Sequence, residues 1–235
     1  MKAIWNSAIG LLLVSGALLG LALPLGKLAG GSGVHPAVWA LVISAGGGGV
    51  LFAALLARGD RLAIDAHRLR YYFTTAAVTY AIPNLLLFSV MPHVGAGYGG
   101  IMYTLSPVMT LSLSLLTGLA RPSGLGIAGI AVGFVGAVLV AATRGEAGEP
   151  AALVWVALGM LIPLSLALGN IYRSYDWPEG AGPLELAAGS NLAAGLLLLA
   201  FLGVTGDIAA VADLGRVPWL FLTQVAASAA MFVFF

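Results

Sequence analysis

The stretch from Gly95 to Ala141 decides the fold of this chain and reads GAGYGGIMYTLSPVMTLSLSLLTGLARPSGLGIAGIAVGFVGAVLVA. It consists of two apolar runs that are joined by a short turn containing Arg121 and Pro122. A helix needs roughly 17–25 mostly apolar residues to cross a bilayer, and each run is long enough. The stretch therefore predicts a hairpin of two transmembrane helices.

The composition of the whole chain is that of an integral membrane protein. Of its 235 residues, 60% are hydrophobic and 8% are charged, and the mean hydropathy is +1.04. Soluble domains carry about 25% charged residues, so soluble classes are excluded. The net charge of +1 does not indicate a nucleic-acid partner. The chain has no cysteine and only three scattered histidines, so we expect neither a metal site nor a cofactor.

The pattern of apolar runs predicts an all-α, polytopic membrane helix bundle with about eight transmembrane helices. A transmembrane β-barrel would need short strands of alternating hydrophobicity, whereas these runs are long and uniformly apolar. The predicted segments are Ile4–Lys27, His35–Ala57, Arg70–Met91, Gly95–Leu119, Ser123–Thr143, Ala151–Tyr172, Pro183–Val204 and Arg216–Phe235.

The distribution of basic residues predicts the orientation of the bundle, because cytoplasmic loops carry an excess of Lys and Arg. With a cytoplasmic N-terminus, seven of these residues lie on the cytoplasmic side and three on the opposite side. The cytoplasmic set is Lys2, Arg58, Arg61, Arg68, Arg70, Arg121 and Arg173, and the opposite set is Lys27, Arg144 and Arg216. We therefore expect a multi-pass protein of the cell membrane, embedded in the lipid bilayer, with its N-terminus in the cytoplasm.

The two halves of the chain show a weak internal repeat. The segment RYYFTTAAVTYAIPNLLLFSV, which begins at Arg70, is similar to RVPWLFLTQVAASAAMFVFF, which begins at Arg216, about 146 residues later. The two copies are the third and eighth predicted helices, an odd offset of five, so the second copy would be inverted in the membrane. Inverted repeats are typical of secondary transporters, whose substrate site lies near the midplane between the repeats.

These features resemble the EamA-type repeats of the drug/metabolite transporter superfamily. The run MPHVGAGYGGIMYTLSPVMTLSLSLLTGLARPSGLGIAGIAVGFVGAVLVA is similar to the end of such a repeat, with a proline-bearing fourth helix, a short turn and a glycine-rich fifth helix. The segment GALLGLALPLGKLAG is similar to the family's opening helix. In one departure, Ala120 precedes Arg121 where the family's turn usually carries a glutamate.

The resemblance implies two inverted repeats of five helices each. Residues 4–143 would form the first repeat, and residues 151–235 would form three helices of an incomplete second repeat. About 50 residues that would match Pro92–Thr143 have no counterpart. A truncated or non-transporting protein that needs a partner chain is therefore an alternative hypothesis.

A polar stripe on the fourth predicted helix is the first candidate for the substrate path. Its hydroxyl side chains recur at intervals of three and four residues, which places them on one helical face. They are Tyr103, Ser106, Thr110, Ser114 and Thr117. Pro107 lies beside them and should kink the helix. The stripe should face a neighbouring helix or an aqueous path, and bonds within the bundle are an equally open interpretation.

Two amide side chains extend the candidate path. Asn84 lies on the third predicted helix and Gln224 on the eighth, and each is costly to leave unpaired in hydrocarbon. The family resemblance implies that the third, fourth and eighth helices line a central cavity. Asn84, Tyr103, Ser106, Pro107, Thr110 and Gln224 are thus the substrate-path candidates, although a structural partner is an alternative for the amides.

The glycines of the fifth predicted helix form a small-residue face that favours close helix packing. They are Gly126, Gly129, Gly133 and Gly136. We interpret this face as a contact within the bundle and keep a homodimer contact as a second hypothesis.

The function that these patterns favour is transport by alternating access, as an exporter of small metabolites such as amino acids or related amphipathic solutes. A membrane enzyme is disfavoured because the spans carry no paired carboxylates, no metal-ligand set and no nucleophile with its base. We therefore assign no catalytic residue and expect a small-molecule substrate.

Overall fold

The structure is a computed structural model that describes residues 8–118, 123–143 and 150–233. The regular elements in these ranges are helices, which confirms the predicted all-α bundle. We number them α1 (Ala8–Gly31), α2 (Pro36–Ala57), α3 (Ala66–Val94), α4 (Ala96–Thr104 and Ser106–Leu116), α5 (Gly124–Thr143), α6 (Pro150–Tyr175), α7 (Pro183–Thr205) and α8 (Pro218–Val233).

Five of these helices are long and apolar enough, by length and composition alone, to cross a membrane. They are α2, α3, α4, α6 and α7. A sixth span results if Asp207–Arg216 and Pro218–Ser228, which meet at an angle of 94°, are counted together. In α1 and α5, shorter apolar segments satisfy the same criteria of composition. The polytopic bundle is therefore confirmed, while the number of about eight spans stays a prediction.

Two helix starts differ from the sequence prediction for local reasons. Helix α3 begins at Ala66, four residues before the predicted Arg70, because the Asp65 carboxylate caps it by accepting a hydrogen bond from the Arg68 backbone N–H at 2.9 Å. Helix α8 begins at Pro218 rather than at the predicted Arg216, because a 3₁₀ helix over Asp207–Arg216 comes first. Proline has no backbone N–H and is well suited to a first helical position.

Three spans contain a local departure from α-helical geometry. Helix α2 has a π-helical segment at Val42–Gly46, and α3 has one at Ala76–Ala81. Helix α4 is interrupted at Leu105, two residues before Pro107, which lies in the first turn of the second half. Such irregularities release backbone groups and are frequent at functional sites. They lie within the predicted transmembrane segments.

Helix α7 packs against α2 and α3. Backbones approach closely along α2, because a Cβ atom added at Gly48 would lie 2.9 Å from the Leu192 backbone nitrogen. A Cβ atom at Gly195 would lie 3.1 Å from the Cβ atom of Ala45. Small residues allow this approach in a bilayer, where dispersion contacts drive helix association.

We predict that Gly48→Ala destabilises the protein by about 1–3 kcal/mol, because the added methyl group would collide with the backbone of α7 rather than with a flexible side chain. Gly49 provides a matched control, since a Cβ atom there would meet nothing within 4 Å. Gly49→Ala should keep or raise the melting temperature, because alanine favours the helix. Thermal unfolding of both variants in detergent checks this, and equal melting temperatures would contradict the proposed close packing.

Candidate substrate pathway

The irregular parts of α3 and α4 bring two of the predicted site residues together. The Tyr103 hydroxyl donates a hydrogen bond to Asn84 Oδ1 at 3.0 Å. Tyr103 lies in the last turn of the first half of α4, and Asn84 follows the π-helical segment of α3. The amide oxygen of Asn84 therefore has a partner inside the bundle, and this bond connects α3 to α4.

A second polar contact joins α4 to α6. Asn170 Nδ2 donates to Thr110 Oγ1 at 3.2 Å, and the Thr110 hydroxyl donates in turn to the Ser106 carbonyl oxygen at 2.8 Å. Ser106 itself is buried, whereas Pro107 is exposed at the surface of the described bundle. The polar stripe of α4 thus continues into α6, although its hydroxyls also bond within their own helix.

The remaining predicted path residue, Gln224, lies apart from this group. It is buried on α8, which packs against α1 and α2, and its Oε1 atom has no hydrogen-bond partner among the described residues. The Ser44 hydroxyl in the π-helical segment of α2 is likewise buried without a partner in this part of the structure. The structure therefore does not bring Gln224 to the Asn84–Tyr103 contact.

The glycine-rich face of α5 is only partly covered. A Cβ atom at Gly133 would lie 2.8 Å from a methyl group of Val108 on α4, whereas one at Gly129 or Gly136 would meet nothing within 4 Å. Gly126 lies in the first turn, where its backbone N–H donates to Ser123 Oγ at 3.3 Å. One glycine of the predicted packing face therefore contacts α4 in the described structure, and two are open.

A small, partly open cavity of about 40 Å³ lies between α3, α6 and α7. Its lining combines hydroxyl groups, aromatic rings and one guanidinium group. The lining residues are Tyr71, Thr75, Tyr80, Arg173, Trp177, Pro183, Leu186, Ala187 and Ser190. None of them is among the residues that the sequence indicated as path candidates. The sequence could have indicated Thr75 and Ser190, because each is a hydroxyl residue within an otherwise apolar span.

Next to the cavity, ion pairs connect the start of α3 to the region between α6 and α7. Glu185 Oε1 lies 3.1 Å from Arg68 Nε and accepts hydrogen bonds from the Tyr72 hydroxyl and the Ala63 backbone N–H. The Glu185 carboxylate also lies in the first turn of α7, where a negative charge is favourable.

A second group of charges centres on Asp176. Its carboxylate accepts hydrogen bonds from the Tyr172 hydroxyl at 2.6 Å and from Arg70 at 2.8 Å, and it lies 3.0 Å from His67 Nε2. The bond from Tyr172, with His67 and Arg70, holds the pKa of Asp176 below its ordinary value of 3.8. We call the contacts of Glu185 and Asp176 together the charged network.

We predict that the charged network loses stability in acid. Because the pKa of Asp176 is lowered by folding, its contribution is complete above pH 3.8 and decreases as the pH falls below that value. Asp176→Asn should therefore lower the melting temperature at neutral pH and reduce its further fall in acid. Asp60→Asn is the control, because Asp60 is exposed and forms no ion pair in the described structure. Identical pH profiles for both variants would contradict this role of Asp176.

We also predict that the bond between Asn84 and Tyr103 stabilises the fold. Tyr103→Phe and Asn84→Leu should each lower stability, and the double variant should lose less than the sum of the two. The expected coupling is about 0.6 kcal/mol, the average for hydrogen bonds between transmembrane helices. Unfolding of the four proteins in detergent measures it, and strictly additive losses would show that the bond contributes nothing.

The described residues contain no group of three or more His, Cys, Asp or Glu side chains that could hold a metal ion. No curated protein and no solved structure matches the chain. The model of the EamA-like transporter family matches residues 6–142, which is more than half of the chain. A transporter family favours transport over catalysis. The chain is therefore a multi-pass membrane protein that belongs to the EamA-like transporter family.

Proposed function

We propose that this protein carries small metabolites, such as amino acids or related amphipathic solutes, across the cell membrane by alternating access between two inverted repeats. The observation that carries this proposal is the cavity between α3, α6 and α7, because it lies between the two predicted repeats. Helix α3 belongs to the first predicted repeat, and α6 and α7 belong to the second. Secondary transporters bind substrate between their repeats.

The contacts around the cavity differ in strength, so that one side of the cavity can open while the other stays closed. Near the cavity, ion pairs help to hold α3 to the α6–α7 connection. One of them joins Arg70 to Asp176, and the Arg70 side chain is 65% exposed. Exposed ion pairs contribute about 0–1 kcal/mol, so they can separate at little cost. The glycine-mediated contact between α2 and α7 excludes such separation, because its backbones are packed directly together. Opening at the charged network is therefore the less costly movement.

The proposed direction is export. With a cytoplasmic N-terminus, Arg70 and Arg173 lie at the cytoplasmic ends of their helices, so the cavity beside them would be loaded from the cytoplasm. The substrate would then leave on the opposite side once the charged network closes.

We predict that connecting the two sides of the charged network stops transport. The chain has no cysteine, so Ala63→Cys/Glu185→Cys introduces a single pair of thiols at residues that are already in contact. In proteoliposomes loaded with radiolabelled amino acids, a short reducible thiol linker should abolish efflux, and reductant should restore it. The reference rate is that of the same double variant before linking.

The single variants Ala63→Cys and Glu185→Cys, treated with the same linker, serve as controls and should keep their efflux. Undiminished efflux from the linked double variant would contradict a gate at this position. Absence of flux in the unsubstituted protein, for a broad panel of amino acids and related metabolites, would overturn the proposed function itself.

A further inference from the structure

The cavity between α3, α6 and α7 has a charge that nothing in the described structure neutralises. Of its nine lining residues, Arg173 is the charged one, and it forms no ion pair with a described carboxylate. The neighbouring cations are different, because Arg68 pairs with Asp65 and Glu185, and Arg70 pairs with Asp176. Arg173 lies beside the Tyr71 hydroxyl, which carries no charge to compensate it.

Two hydroxyl groups in the same lining also have no partner. Thr75 and Ser190 are each 1% exposed, and neither Thr75 Oγ1 nor Ser190 Oγ has a hydrogen-bond partner among the described residues. The Thr75 hydroxyl lies near that of Tyr71, but not in a geometry that forms a hydrogen bond. A buried hydroxyl without a partner costs about 1–3 kcal/mol, so such groups need an explanation. An acceptor oxygen bound in the cavity would satisfy both.

The start of α7 adds to the positive character of this lining. Pro183 opens the helix at the cavity, and Gly182 before it has no side chain that could cap the first backbone N–H groups. The amino end of a helix favours an anion. The carboxylate on this turn, Glu185, is engaged by Arg68 and Tyr72 on the side of the charged network.

The rest of the lining is apolar or aromatic. Trp177 packs edge-on against Tyr71 with ring centroids 6.3 Å apart, and Leu186 and Ala187 line the cavity on α7. A ligand with an apolar body and one anionic group would therefore find a complementary surface. The cavity has a volume of about 40 Å³, which suits a carboxylate group rather than a large polar ligand.

We propose that this cavity binds the carboxylate of a small amphipathic acid, with Arg173 as the cation and the Ser190 and Thr75 hydroxyls as hydrogen-bond donors. The inference rests on the proposed transport function and specifies its substrate class. A guanidinium group binds a carboxylate through two parallel N–H···O bonds. The single positive charge of Arg173 balances one carboxylate, whereas a phosphate dianion would keep one negative charge without a cation.

Binding to the purified protein in detergent tests this proposal with isosteric probes. L-leucine and 3-phenylpropionate carry the carboxylate, and leucinamide and 3-phenylpropionamide replace it by an amide. We expect the two acids to raise the melting temperature and the two amides to bind at least about tenfold more weakly, which corresponds to the loss of one charge-assisted bond. Inorganic phosphate, as a third probe, should not compete with the acids.

Variants separate the cavity from general effects of charge. Arg173→Gln should weaken binding of the acids about tenfold and leave the amides unchanged. Arg58→Gln removes the same charge at an exposed residue outside the cavity and should change neither. Ser190→Ala should weaken acid binding several-fold while the melting temperature of the ligand-free protein stays equal or rises, because a hydroxyl without a partner is removed.

The outcomes distinguish this inference from the proposed function. The carboxylate site is overturned if acids and amides bind equally, or if Arg173→Gln weakens both equally. It is also overturned if phosphate binds preferentially or if neither acid binds. These conclusions hold even if proteoliposomes transport another solute. Selective binding of acids that is lost in Arg173→Gln would support the site. That result stands even if the reconstituted protein moves no solute, which would count against transport alone.

Discussion

The close approach of helix backbones around α7 is the constraint on which the rest of the structure depends. In a bilayer, lipid tails are as apolar as leucine side chains, so helices associate through dispersion contacts and a few hydrogen bonds. Glycine makes the distances short enough for this: Gly48 meets the backbone of α7, and Gly189 on α7 meets the ring of Tyr72 on α3. Because α7 is held between α2 and α3, it joins the two predicted repeats.

This packing determines which polar groups are paired and which are not. Where helices touch, polar side chains find each other, as in the bonds between Asn84 and Tyr103 and between Thr110 and Asn170. Where α3, α6 and α7 separate, the hydroxyls of Thr75 and Ser190 have no partner among the described residues and lie at a cavity. The same hydroxyl chemistry therefore pairs groups in one part of the bundle and leaves unpaired groups in another part, where we propose that a ligand binds.

The charged network has a different role from the glycine contacts, since its residues lie at helix ends. Arg68, Glu185, Arg70 and Asp176 hold the start of α3 to the α6–α7 region through bonds that water can replace. The apolar glycine contacts are tightly packed, whereas the charged end is held by weaker ion pairs. Separating the helices at the charged end therefore costs less free energy. Alternating access requires such a difference, because one end must open while the centre stays intact.

The sequence by itself determined the class of protein. Long apolar runs with few charges permit only membrane helices, and the order of the proline-bearing and glycine-rich helices indicated the EamA family, which the family match over residues 6–142 supports. It also identified Asn84 and Tyr103 as polar residues that require a partner, and Pro107 as the cause of a break, which the structure has at Leu105.

Only the tertiary structure decided which helices meet. The spacing of residues along one helix predicts a face, but it does not say which neighbour covers that face, because transmembrane helices are apolar on all sides and their patterns carry little directional information. For this reason the sequence included Gln224, which lies apart from Asn84, and omitted Arg173, Thr75 and Ser190. These three residues are distant in the chain and share one cavity because α7 packs against α3.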